Sequence, residues 1–180
     1  RQEYDAAERL KQRVLAGYEK TLGPDHPNAR RAAADLGIMF RTKGDRAAAE
    51  PLLRRGLTGL DKALGPDHPD ALAVARALAQ LLGEKGDVRA AEPLCRRALA
   101  GLEKAHGPHH RDVLGCVFEL AGLYHTAGDF ASAGPLYRRA LAGYEKALGA
   151  SDPVVLRCVN DLAALCNDTG DRAGAESLLR

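Results

Sequence analysis

Gly-Asp pairs recur at Gly44-Asp45, Gly86-Asp87, Gly128-Asp129 and Gly170-Asp171, each step being 42 residues (86−44, 128−86, 170−128). A fixed period of this size marks stacked supersecondary units, each too small to bury its apolar face except against a neighbour. The 180 residues are therefore read as a count of units in a single array over 1–180, with no domain linker. In this register the units run 22–63, 64–105, 106–147 and 148–180, the last incomplete. Residues 1–21 form the second half of an earlier unit, because Glu8 to Lys20 matches Glu50 to Lys62.

Within residues 22–63, Pro27 suits a first helical position, where a missing N–H costs nothing and φ is already set. A first helix, A, is expected to run to about Lys43. Gly44 can take the left-handed conformation that ends it, and Asp45 can cap the amides that open the second helix, B. Ala48, Ala49, Leu52, Leu53 and Leu57 then recur at intervals of three and four, which draws one buried stripe along helix B. Lys62 favours the negative end of that helix, and Gly65-Pro66 stops it. Pro51, Pro93 and Pro135 fall inside helix B, where each removes a hydrogen bond and predicts a bend. Arg9 and Ser177 stand at the equivalent positions of the outer units. Two helices per unit with short turns give an antiparallel pair, and Ala33, Gly37, Ala49, Ala91, Ala98, Ala121 and Ala140 let the axes approach closely.

Composition narrows the function classes. With 26 basic against 24 acidic side chains the net charge is +2, and only five Tyr and three Phe are present, so nucleic acid is not an expected partner. No apolar run nears the roughly 18 residues of a membrane span, and no signal peptide precedes the first repeat. Cys95, Cys116, Cys158 and Cys166 form no CxxC pair, and Cys116 and Cys158 hold the same place in successive units. They read as packing residues in a soluble protein of a reducing, cytoplasmic compartment.

Leu36-Gly37 with Phe40, followed by Gly44, Ala49 and Leu53, resembles the small/large pattern of tetratricopeptide repeats, and Ala98 and Ala140 complete it in the next two units. The long unit, with its LGPDHP turn and segments such as AEPLCRRALAGLEKAHGPHHRDV (91–113), is similar to the 42-residue repeats of kinesin light chains. The resemblance covers essentially the whole chain. It implies a right-handed α-solenoid, here of nine helices, whose concave groove is lined by helix A.

Carried over by register, the groove positions are Arg31, Ala34, Ile38, Arg41 and Thr42, then Ala73, Arg76, Gln80, Gly83 and Glu84. The later units supply Gly115, Phe118, Gly122, His125 and Thr126, then Arg157, Asn160, Ala164, Asn167 and Asp168. Each set keeps to one helical face. Arginines outnumber acids, and glycines leave room beside Phe118, so the expected ligand is a protein or peptide segment with acidic residues and one bulky side chain. The same positions also read as solvated helix faces. The paired asparagines that light chains carry on helix A are represented only by Asn160.

No catalytic set is present: there is no GxSxG, phosphate-cradling glycine loop or HExxH, so no enzyme activity and no cofactor are expected. His106, His109, His110 and Asp112 replace the LGPDHP turn and are read as loop residues rather than a metal site. Arg54-Arg55, Arg96-Arg97 and Arg138-Arg139 recur on helix B, where Glu50 and Glu92 can pair with them along the helix. The expected role is protein–protein recognition as a scaffold or adaptor, in the manner of a light-chain cargo adaptor. The alternatives are a spacer that self-assembles through apolar ends (Leu15, Tyr18, Leu178, Leu179) and a sensor segment of a larger signalling protein.

Overall fold

The computed structural model describes residues 2–171 together with Gly174 and Ala175. The described residues form eight α-helices and no strand: α1 (Gln2–Leu22), α2 (Pro27–Lys43), α3 (Arg46–Leu64), α4 (Pro69–Glu84), α5 (Val88–His106), α6 (Arg111–Thr126), α7 (Phe130–Leu148) and α8 (Pro153–Thr169). The even-numbered helices are the A helices of the repeat and the odd-numbered ones its B helices. The expected ninth helix falls on residues 172–180, which lie outside the described residues apart from Gly174 and Ala175, both helical. Ser177, Leu178 and Leu179 lie outside them as well.

The Gly-Asp corners form as the sequence dictates. Gly44 sits at φ 88°, Gly86 at 80°, Gly128 at 76° and Gly170 at 74°, a region closed to most side chains by the Cβ atom. At the first corner Gly44 N–H donates to the Arg41 carbonyl and Asp45 N–H to that of Phe40, both at 2.9 Å. The following aspartate then accepts from the third amide beyond it: Asp45 from Ala48 at 3.0 Å, Asp87 from Ala90 and Asp129 from Ser132 at 3.1 Å, Asp171 from Gly174 at 2.9 Å. These aspartates satisfy helix amides.

The opposite corner holds a cap that propensity does not suggest. His26, His68 and His110 each accept through Nδ1 from the backbone N–H two residues on, at 3.2, 3.2 and 3.3 Å. In the fourth unit Asp152 takes this position and accepts from Val154 N–H at 2.8 Å. An imidazole nitrogen thus does the work of an aspartate, which requires its unprotonated form. His110 also stacks on His106, with ring centroids 4.5 Å apart, so these loop histidines have a capping and packing role.

Pro51, Pro93 and Pro135 lie inside unbroken helices. All three are exposed, as are Ala47, Arg89 and Ala131 four residues earlier. The residues whose carbonyls lose their donors are therefore on the solvent side, where the cost of the missing N–H is least.

Packing divides the chain into two compact units, one ending at Gly101 and the other beginning at Leu102, within α5. In the first, α1 packs on α2, α2 on α3 and α3 on α4. Leu15 is buried with Ala32, Ala33, Leu36 and Met39, so it belongs to the α1–α2 core and offers nothing to an end-to-end contact. The exposed apolar stripe of α1 is instead Leu10, Val14 and Tyr18. In the second unit α7 packs between α6 and α8, around Val113, Val117, Ala133, Tyr137 and Ala140. Small residues set the spacing: a Cβ on Gly37 would stand 2.9 Å from Leu53 Cγ, and one on Gly56 would stand 2.8 Å from Ala34 Cβ. All four cysteines are free and buried, and burial pushes the Cys158 thiol up to about 11.

Candidate functional site

The groove residues are presented by one face of each A helix, but most of them already have partners. In the first unit Arg31 on α2 reaches Asp70 on α4 at 3.1 Å. Arg41 Nη1 meets Glu84 Oε1 at 3.0 Å, and the other oxygen of Glu84 accepts from Arg46 Nε on α3 at 3.2 Å. Ion pairs of this kind are worth little singly in water, yet they neutralise the field an acidic ligand would follow. The hydroxyls of Thr42 and Thr126 turn back onto the carbonyls of Ile38 and Gly122, at 3.0 and 2.9 Å, which occupies their donors.

One expected groove residue is misplaced. Ala34 is fully buried, because the glycine at position 56 lets α3 close onto it, so it floors the helix pair and presents no surface. Ile38, Arg41, Arg76 and Gln80 are half-buried, whereas Arg31 and Glu84 are exposed.

In the second unit the arrangement is different. Phe118, half-buried on α6, stands edge-on to Tyr137 with centroids 5.5 Å apart. The guanidinium carbon of Arg157 on α8 lies 5.0 Å above the Phe118 ring, within cation–π range. Next to it, Gly122 carries no side chain, and a Cβ there would meet only the Tyr137 hydroxyl, at 3.6 Å. His125 Nε2 closes the site with Asp168 Oδ2 at 2.7 Å, the same rung that Arg41 and Glu84 make two units earlier. His125 also packs edge-on against Phe130 and Tyr137. Tyr137 is pushed up to about 12, by burial first and then by the carboxylate of Asp161, so its hydroxyl stays a proton donor. Asn160 and Asn167 are exposed on α8. Among the described residues no carboxylate pairs with Arg157.

Sequence reasoning missed two arrangements. The first lines a hollow of about 360 Å³ where α1 meets the groove face of α2, with Lys11, Val14 and Tyr18 facing Asn28, Arg31 and Asp35. The second is a set of lateral staples on the B helices. Arg54 and Arg96 pair with Glu50 and Glu92 along the helix, at 2.8 and 3.0 Å, as the spacing predicts. The second arginine of each doublet instead crosses to the preceding B helix: Arg55 to Glu19, Arg97 to Asp61 and Arg139 to Glu103. Each partner is 36 residues earlier. Arg97 and Arg139 also donate to the turn carbonyls of Pro66 and Pro108, so one guanidinium fixes both a helix and the corner that follows it.

Paired A and B helices joined at Gly-Asp corners and repeated every 42 residues define a helical-repeat protein. Tetratricopeptide repeat profiles match residues 1–62 and 113–180, and a second profile of the same repeat matches 72–112. The chain belongs to the tetratricopeptide repeat family and has its all-α solenoid fold. It is similar to the crystal structure of the nearly identical TPR-like repeats of a Podosopora anserina protein described as a putative kinesin light chain. The two are 28% identical with a TM-score of 0.82, over 98% of this chain and 83% of that one. The crystal structure of a variant of that protein gives a TM-score of 0.83 at the same identity and coverage. BtubC (BKLC) from P. vanneervenii shares the fold at 20% identity, with a TM-score of 0.85 over 98% of this chain and 70% of the other. No curated protein matches the sequence. Among the described residues no helix is long and apolar enough to cross a membrane.

Proposed function

We propose that the chain is a non-catalytic recognition module that binds a protein segment on the groove face of its A helices, as scaffold or adaptor. The family supports protein–protein interaction in general, and one observation carries the site: Phe118 one turn from Gly122, which has no side chain to cover it, with Arg157 laid over its ring. A half-buried aromatic ring beside a residue without a side chain suits an apolar side chain laid against it, and a guanidinium facing no carboxylate takes an acidic one. Arg31 and Arg41 are balanced by Asp70 and Glu84, so the acidic preference rests on Arg157 and is local to α6 and α8.

Peptides selected from a displayed random library against the chain test this. Phe118→Ala and Arg157→Ala should each weaken the selected peptides about tenfold, the cost of about 1.4 kcal/mol that a well-placed contact carries. Arg96→Ala, on a B helix, should leave them unchanged. Equal affinity of all three variants would remove this site.

A second reading is supported by the exposed stripe Leu10, Val14 and Tyr18 on α1. Such a stripe at helical spacing is a helix-docking face, and under this reading it drives self-association through α1. Sedimentation at rising concentration separates the two, because Val14→Glu should hold the chain monomeric while leaving peptide binding intact.

A further inference from the structure

Internal repetition makes one substitution conspicuous. Gly101 and Gly143 hold the same place on α5 and α7, and each opens a seat for a leucine of the preceding A helix. A Cβ on Gly101 would lie 2.2 Å from Leu72 Cδ1, and one on Gly143 would lie 2.4 Å from Leu114 Cδ2. The equivalent seat on α3, at Gly59, holds Arg30, whose Cγ would be 2.3 Å from such a Cβ. The arginine stem and its Nε replace the leucine, the Nε standing 2.7 Å from that Cβ, and the terminal nitrogens are carried beyond the seat.

There it enters a hollow of about 610 Å³ between the turn before α2 and the outer side of α3. Arg30, Arg54, Arg55 and Lys62 line it with Thr58, against a single lining carboxylate, Asp25. Arg54 and Arg55 each keep one acidic neighbour outside the hollow, Glu50 and Glu19. Lys62 has no ion-pair partner among the described residues. Arg30 pairs with Asp25, a side chain 88% exposed on the turn, while its Nε is buried and lacks an acceptor. A guanidinium left with an unsatisfied buried N–H is costly, and an acceptor set that draws the side chain toward the hollow would relieve that cost.

We propose that this hollow is a binding site for a phosphoryl group, held by Arg30, Arg54, Arg55 and Lys62. A carboxylate gains little here, because Asp25 already supplies one and would only be exchanged. A phosphoryl dianion brings about two charges and three acceptor oxygens, enough to serve several guanidinium donors at once and replace the exposed Asp25. The site lies on the B-helix side and does not depend on the groove reading.

The experiment follows the arginine Nε–Hε resonances while the chain is titrated with inorganic phosphate and with O-phosphoserine, against acetate and serine at matched ionic strength. Saturable shifts at Arg30 and Arg54 with the two phosphate probes, absent with acetate and serine, are expected. Tighter binding of O-phosphoserine by about tenfold or more assigns the site to a phosphorylated side chain, and equal binding assigns it to free phosphate. Arg30→Leu, the residue that Leu72 and Leu114 already provide in the same seat, should fold normally and weaken phosphate binding at least tenfold. Lys62→Ala, on an exposed position, should weaken it severalfold. Linear, unsaturable shifts, equal shifts with acetate, or undiminished binding by Arg30→Leu would each overturn the proposal.

Discussion

Arg96 and Arg97 are neighbours in the chain with unlike roles. Arg96 is largely exposed and pairs with Glu92 one turn away, an arrangement worth a few tenths of a kcal/mol. Arg97 is mostly covered, meets Asp61 through two nitrogens and donates to the Pro66 carbonyl. Arg97→Ala should therefore lower stability by about 1–2 kcal/mol in urea unfolding, since it strips the partner from the half-buried Asp61 carboxylate and from the exposed Pro66 carbonyl. Arg96→Ala should stay within about 0.5 kcal/mol. Arg97→Lys should not rescue, because a point charge cannot span both acceptors. Titration gives a second residue-scale test. Burial raises Cys158 from 9.0 to about 11 and Tyr137 from 10.0 to about 12. Both groups hold their protons more tightly when folded, so their contribution is fully present below pH 9 and is lost as pH rises through 11 and 12. The urea midpoint should fall across that window, and Cys158→Ala should flatten its lower part. A midpoint that stays level from about pH 9 to 12 would contradict the burial of both groups.

At the scale of the helix, small residues and caps decide the geometry. Gly143→Ala forces a methyl against Leu114 and should destabilise by about 1–3 kcal/mol. The same change at Gly17, where a Cβ meets nothing within 4 Å, should stabilise by about 0.5–1 kcal/mol through helix propensity. Thermal melts of the two variants should move in opposite directions. His68→Ala should cost about 1 kcal/mol by removing a cap, and His68→Asp should be near neutral, because Asp152 already performs that task in α8. The Gly-Asp corners and the helix start at Pro27 were legible in the sequence because they are local: a few consecutive residues determine them. The histidine cap was not read from the sequence, where the turn histidines stand only as loop residues; it emerges from the Nδ1 contacts and from Asp152 in the same place. The staples from Arg55, Arg97 and Arg139 were not legible, because an offset of 36 residues depends on how neighbouring B helices align, which no local pattern states. Ala34 was placed wrongly for the same reason. Its burial is set by Gly56 on another helix.

For the molecule, repetition builds the scaffold and departures from it mark where ligands are to be sought. Phe118 stands where the earlier units carry Arg76 and Ala34, and Arg30 stands where later ones carry Leu72 and Leu114. The first gives an aromatic platform in the groove of the second packing unit, and the second gives a basic hollow on the B-helix side of the first. The central claim is that recognition takes place on the A-helix face, and backbone and side-chain NMR shift mapping with a selected peptide tests it most directly. The expected result is a saturable perturbation centred on Phe118, Gly122, His125, Arg157 and Asn160. Perturbation confined to the exposed faces of α3, α5 and α7, or to Leu10, Val14 and Tyr18 of α1, would contradict it.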